Sequence, residues 1–219
     1  IALFDRLQNG SRWDFDFLAL MSLATIIASL GLLQNSAAVV IGAMVIAPLL
    51  TPNLALSLGT ALGDVKLVKE SALTLSVGIA LAVLLSAVLG AWWPETLTSH
   101  ELMSRTQVGW SAVALALASG AAAALSLTTG LSSVLVGVMV AVALLPPAST
   151  VGLMLGQGNV SLAIGAALLL AINIVCVNLS SKVVFYVKDI RPRKRSDKDK
   201  ASGVMRVYIL GWAVSLFVL

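Results

Sequence analysis

At 219 residues the chain is 59% hydrophobic and 11% charged, against about 45–50% and about 25% in soluble domains. That balance excludes an ordinary soluble domain and leaves a polytopic membrane protein with a single membrane domain. The net charge of +4 is no nucleic-acid footprint, because the basic residues cluster beside long apolar runs.

The chain opens "IALFDRLQNGSRWDF", without an initiator methionine or a cleavable signal peptide, so 1–14 reads as an N-terminal cytoplasmic segment of a longer polypeptide. Apolar runs near 15–33, 36–63 and 70–92 predict three spans, a first membrane repeat over 15–92. Residues 93–106 predict an external interfacial loop. Trp92 and Trp93 would lie at headgroup level, and Ser104 with Gln107 forms a capping box for the fourth span. Runs near 107–128, 131–156 and 160–187 form a second repeat over 107–187. A basic cytoplasmic linker follows at 188–203. Its charges at 191–200 suit anionic lipid, at about 1 kcal/mol per basic residue near the surface. Residues 204–219 begin a seventh span.

The two repeats align without a gap at an offset of 95. "VVIGAMVIAPLLTPNLALSLGTALGDVKL" lies over "VLVGVMVAVALLPPASTVGLMLGQGNVSL", so that Gly42 meets Gly137, Met44 meets Met139, Pro52 meets Pro147 and Gly63-Asp64 meet Gly158-Asn159. Three spans per unit turn the second copy upside down. A cytoplasmic N-terminus puts Arg6, Arg12, Lys66, Lys69 and the nine basic residues from Lys182 to Arg206 inside, with only Arg105 outside. A rival topology, with 36–63 and 131–156 as re-entrant hairpins, scores only slightly worse.

The second span of each unit is too long to be straight. A helix over 36–63 would reach about 42 Å, while the hydrocarbon core is about 30 Å. Each also carries two prolines, Pro48 and Pro52 or Pro146 and Pro147, and a proline strips the carbonyl four residues earlier of its partner. The expected result is a pair of broken helices, with half-helices at 36–47 and 53–63 in the first. Each break would open a helix N-terminus at mid-depth, with Thr51 and Asn53 in one copy and Ser149 and Thr150 in the other. These residues, with carbonyls near Met44 and Val142, form a candidate midplane site for a small polar or anionic solute. Asn173 and Asn178 of the sixth span either face this cavity or serve as interhelical hydrogen-bond glue. The competing account is packing alone, since neighbouring helices often re-satisfy proline-freed backbone. "GTALG" (59–63) and "GLMLG" (152–156) read as close-packing patterns, set where the two half-helices cross.

What is missing narrows the chemistry. No ionisable side chain lies near the middle of the first six spans, which argues against a proton relay built on buried carboxylates. Asp14, Asp16, Asp64 and Glu70 lie near span ends, as solvated caps. His100 is the only histidine and Cys176 the only cysteine, so neither a His/Cys metal cluster nor an intrachain disulfide is expected. There is no HExxH and no P-loop. No enzyme activity, cofactor or metal is expected.

The stretch "NSAAVVIGAMVIAPLLTPNLALSLGTALGD" resembles a prokaryotic family of hydrophobic membrane proteins known as domain of unknown function 389. Ser36, Gly42, Met44, Pro48, Pro52, Gly59, Gly63 and Asp64 carry the likeness, which runs more loosely through "VGVMVAVALLPP" to about residue 187. The resemblance implies a multi-spanning protein of a prokaryotic cytoplasmic membrane and implies no activity. The sequence thus predicts an all-α polytopic membrane protein with two inverted three-helix repeats, Pro-broken second helices and a seventh helix. Its partners would be the lipid bilayer and a small solute, not nucleic acid, and its small-residue patterns permit a homo-oligomer. A transporter or facilitator is the leading function; a non-transporting scaffold or sensor, or a channel with re-entrant segments, is the alternative.

Overall fold

A computed structural model describes residues 14–95, 97–129 and 133–188, with the side chains of 127–143 outside the description. The seventh span and the basic linker fall outside these residues. All regular structure among the described residues is helical: α1 Phe15–Leu33, α2 Ala37–Ile46, α3 Leu50–Leu62, α4 Val65–Trp92, α5 His100–Met103, α6 Trp110–Thr129, α7 Ser133–Gly156 and α8 Val160–Val187.

Local chemistry sets the ends. The Asp14 carboxylate accepts the Phe17 amide at 2.8 Å and caps α1. Asn35, with φ of 54°, turns the chain in the left-handed region, and the Ser36 amide returns to the Gly31 carbonyl. α2 stops at Ala47, held extended (φ −64°, ψ 121°) as the residue before a proline must be. α3 ends at Gly63 in the left-handed region, the Asp64 amide reaches back to Gly59, and the Asp64 carboxylate caps α4 on Lys66 and Leu67. The α7–α8 junction is built the same way. Gly158 has φ of 74°, the Asn159 amide returns to Met154, and the Asn159 side chain caps Leu162. Adding 95 to Val65 and Trp92 gives Val160 and Val187, the two ends of α8, and adding 95 to Phe15 gives Trp110, the start of α6.

α2 and α3 form a pair bent by 58°. The turn falls at Pro48, not across both prolines. Pro52 stands in the first turn of α3, where a missing N–H costs nothing because no intrahelical acceptor awaits it. Asn53 is therefore one turn inside the helix, its own amide bonded to the Leu49 carbonyl at 3.3 Å, and does not start it. The expected break at Pro146 and Pro147 is absent. α7 runs helical from Ser133 to Gly156 with both prolines inside, packed against α4 and α8, and neighbouring helices are what let proline-containing membrane helices persist. The proposed capping box also dissolves: Ser104 closes the short helix α5, and the fourth long helix opens only at Trp110.

α3 lies at the centre, with every residue from Pro52 to Ala61 buried, its polar Asn53, Ser57 and Thr60 included, each hydrogen-bonded inside the bundle. α4 runs along α7, α6 along α8, and α1 against α2 and α4. Gly90, Gly152 and Gly156 let α4 and α7 touch backbone to backbone; a methyl at Gly152 would overlap the Val83 carbonyl, and one at Gly156 the Ala87 carbonyl. The second small-residue pattern thus packs on α4 rather than on the other bent helix. Gly59 of the first pattern faces Val68 of α4, while Gly63 is a turn glycine. Outward-facing Leu73, Leu84, Val88, Ile164 and Leu168 form an apolar exterior. α1, α4 and α8 are each long and apolar enough to cross a membrane, with the α2–α3 pair as a fourth candidate. α6 and α7 are apolar over their described side chains, 110–126 and 144–156. Among the described residues the chain is all-helical, and its apolar helices make it an integral membrane protein.

Candidate functional site

Two polar sites stand out in an otherwise apolar bundle. The first joins α3 to α8. The Asn178 amide nitrogen donates to Asn53 Oδ1 at 2.7 Å and to the Ile174 carbonyl at 2.9 Å, while Asn178 Oδ1 accepts the Ser57 hydroxyl at 2.7 Å. All three side chains are fully buried. The arrangement fixes both amide orientations, since flipping either would oppose like groups. It leaves one donor over, Asn53 Nδ2, buried without a partner. Lys182 lies four residues beyond Asn178, on the same face of α8, and is also fully buried. The basic-residue count groups it with the linker on the cytoplasmic side.

The second is a cavity of about 250 Å³ beside α5, α6, α7 and α8. Its polar lining is Glu101, Ser104, Arg105, Ser119 and Asn173; Pro147 and the small apolar residues of α6 form much of the rest. α5 is pinned at the mouth from three sides. The Ser99 hydroxyl donates to the Leu32 carbonyl, the Glu101 amide donates to Asn35 Oδ1 at 2.9 Å, and Leu102 is buried among Leu32, Val40 and Met44. Gly165 admits the Thr106 carbonyl against α8, where any side chain would collide. Arg105 Nη1 donates to Glu101 Oε2 at 2.7 Å, to the Glu101 carbonyl and to Ser104 Oγ. Both side chains of the pair are about four-fifths covered.

No hydrogen bond links Thr51, Asn53, Ser149 and Thr150 to one another. Thr150 donates back to the Pro146 carbonyl at 2.9 Å, Ser149 is fully buried with no partner for its hydroxyl, and Thr51 is half-buried. Asn173 faces the cavity while Asn178 faces α3. Five residues carry the chain about 140° around the helix, so the two amides diverge. Asn173 keeps the role of lining residue and Asn178 that of interhelical glue. Glu101, Arg105 and Ser119 were missed. The i, i+4 spacing of Glu101 and Arg105 in "HELMSR" was the available signal for a helical ion pair. Nothing in the sequence marked Ser119, one small polar residue in an alanine-rich helix. Among the described residues no group of His, Cys, Asp or Glu side chains is arranged to hold a metal ion.

Comparison with known proteins places the chain in a family and assigns it no activity. Residues 44–179 match the family model described as Domain of unknown function (DUF389). An uncharacterized protein, MJ0678, of the archaeon Methanocaldococcus jannaschii is similar at 37% identity over 199 residues, which is 91% of this chain. The chain spans 62% of that relative's length. No solved structure matches.

Proposed function

Because the chain belongs to the DUF389 family, whose description assigns no activity, we propose from its site that it is a membrane transporter or facilitator for a small polar or anionic solute. The observation that carries this reading is the cavity, a polar recess among apolar helices with Arg105, Ser104, Ser119 and Asn173 on its walls and Pro147 beside them. Pockets with a few convergent polar groups on an otherwise apolar lining are the usual form of a small-molecule site. Polar groups such as Ser119 and Asn173 on the walls of a recess inside a membrane bundle fit a solute pathway.

The architecture proposed with it is a pair of inverted three-helix repeats. The matching ends of α4 and α8, their matching caps and their left-handed glycines at an offset of 95 support it. So do two serines in register on the last helix of each unit: Ser86 bonds Ser29 of α1 at 2.9 Å, and Ser181 bonds the Gly120 carbonyl of α6 at 3.0 Å. The solute would enter beside α5 from the external face, with the N-terminus in the cytoplasm of a prokaryotic cell. The bend at Pro48 serves either a broken spanning helix or a re-entrant segment. No catalytic step, cofactor, metal or nucleic acid enters this mechanism. Lipid contact at 191–200 and self-association remain secondary expectations of it.

A non-transporting scaffold is the second reading, favoured by the buried Asn53–Asn178–Ser57 bridge that ties α3 to α8. The two part in a flux assay. Proteoliposomes holding the chain are loaded against radiolabelled alanine, acetate, phosphate and glycerol. On the transporter reading at least one solute crosses, and Asn173→Ala or Ser119→Ala abolishes its uptake while the protein still folds and elutes as the unaltered chain does. Uptake of none, or uptake indifferent to both substitutions, removes the cavity from the mechanism.

A further inference from the structure

The cavity holds two formal charges, and they cancel. Glu101 and Arg105 sit one helical turn apart at its mouth, paired at 2.7 Å and mostly covered. Every hydrogen bond Arg105 makes runs through Nη1, which leaves the Nε and Nη2 edge of the guanidinium uncommitted. Glu101 accepts through Oε2 alone, so its Oε1 is likewise uncommitted. The lining therefore offers a fork for a carboxylate and, on the same turn, an acceptor for an ammonium. The remaining polar groups, Ser104, Ser119 and Asn173, are neutral.

Resting on the cavity reading above, we propose that this site takes a small zwitterion, a solute bearing one carboxylate and one ammonium group, in preference to a free anion. A lone anion would meet the Arg105 edge but also the Glu101 carboxylate beside it, and a mostly desolvated like charge is costly. A lone cation meets the reverse problem. A zwitterion satisfies both free edges without separating the existing pair and brings no net charge into the bundle. The size is compatible. At about 250 Å³ the cavity falls just below the range of about 300–1,000 Å³ typical of drug-sized ligand pockets, which suits a small solute. The small apolar wall of Ala112, Leu115 and Ala116 would receive a short side chain.

The test is binding to the purified chain in detergent, read by calorimetry with L-alanine, acetate, methylammonium and glycerol as probes. L-alanine is expected to bind, with acetate and methylammonium each weaker by about tenfold or more, the order of one lost charge-assisted hydrogen bond. Glu101→Gln retains a hydrogen bond to Arg105 but removes the negative charge. It should weaken L-alanine by about tenfold while strengthening acetate, inverting the preference. That inversion is a readout no unfolded or merely loosened variant produces. Acetate or glycerol binding the unaltered chain as tightly as L-alanine, with Asn173→Leu abolishing it, would overturn the zwitterion and keep the cavity. So would Glu101→Gln leaving the order unchanged. Binding of none of the four probes would overturn both.

Discussion

Asn178 illustrates how one side chain in a membrane interior is judged by its partners. It donates twice and accepts once, and both Asn53 and Ser57 depend on it. Removing it leaves their polar atoms buried and unmatched, which costs more than the bond itself contributes. Asn178→Leu should therefore lower stability by about 1–3 kcal/mol. Asn53→Leu, which leaves one Asn178 donor with its Ile174 bond intact, should cost less. The coupling between the two in a double-mutant cycle should reach about 0.6–1.7 kcal/mol, the range for interhelical hydrogen bonds in a bilayer protein. Unfolding in mixed detergent and SDS measures both, and additive losses would deny that the bridge acts as a unit. Both asparagines and their depth were legible from the sequence. Their pairing was not, because 125 residues separate them and no local rule joins positions so far apart.

At the scale of helices, four prolines met different fates for positional reasons. Pro48 turns the chain, Pro52 occupies a first turn that needs no N–H, and Pro146 and Pro147 ride inside a continuous helix. Proline lowers the cost of a break everywhere, and the surrounding walls decide whether the break is taken. Glycines sort in the same way. Gly152 and Gly156 lie where α7 meets the α4 backbone, whereas Gly42 has open space around it. Gly152→Leu and Gly156→Leu should each destabilise by about 1–3 kcal/mol or more, as overpacking does, while Gly42→Leu should leave the melting temperature nearly unchanged. Thermal denaturation followed by size-exclusion fluorescence would separate them. Equal losses at all three positions would show that close helix approach is not what these glycines provide. The small-xxx-small spacing was readable in the sequence; the partner helix was not.

For the molecule as a whole, its orientation in the membrane decides which face the cavity opens to. The segment carrying α5 hangs beside the cavity and is anchored to the α1–α2 turn, so on the proposed transport reading its side of the membrane would be the side of solute entry. Ser99 is a poor reporter, since its hydroxyl bonds Leu32 and accepts from Leu102. Thr98 is exposed. In a Cys176→Ser background, Thr98→Cys should react with a membrane-impermeant thiol reagent on intact cells. Labelling only after permeabilisation would put the cavity mouth in the cytoplasm and reverse the proposed topology.

By itself the sequence determined the class of the protein, the position of its six long helical segments to within a few residues and the bend in the first proline-bearing one. These are local consequences of apolar run length, proline chemistry and caps such as Asp64 and Asn159, which act over one or two turns. The tertiary structure alone decided which polar groups meet. It sent Asn173 to the cavity and Asn178 to α3, enclosed Lys182, kept α7 helical through Pro146 and Pro147, and brought Glu101 and Arg105 to the wall that Ser119 also lines. Each of these depends on which face of one helix lies against which face of another. In a chain apolar on nearly every face, periodicity does not announce that choice; close packing makes it.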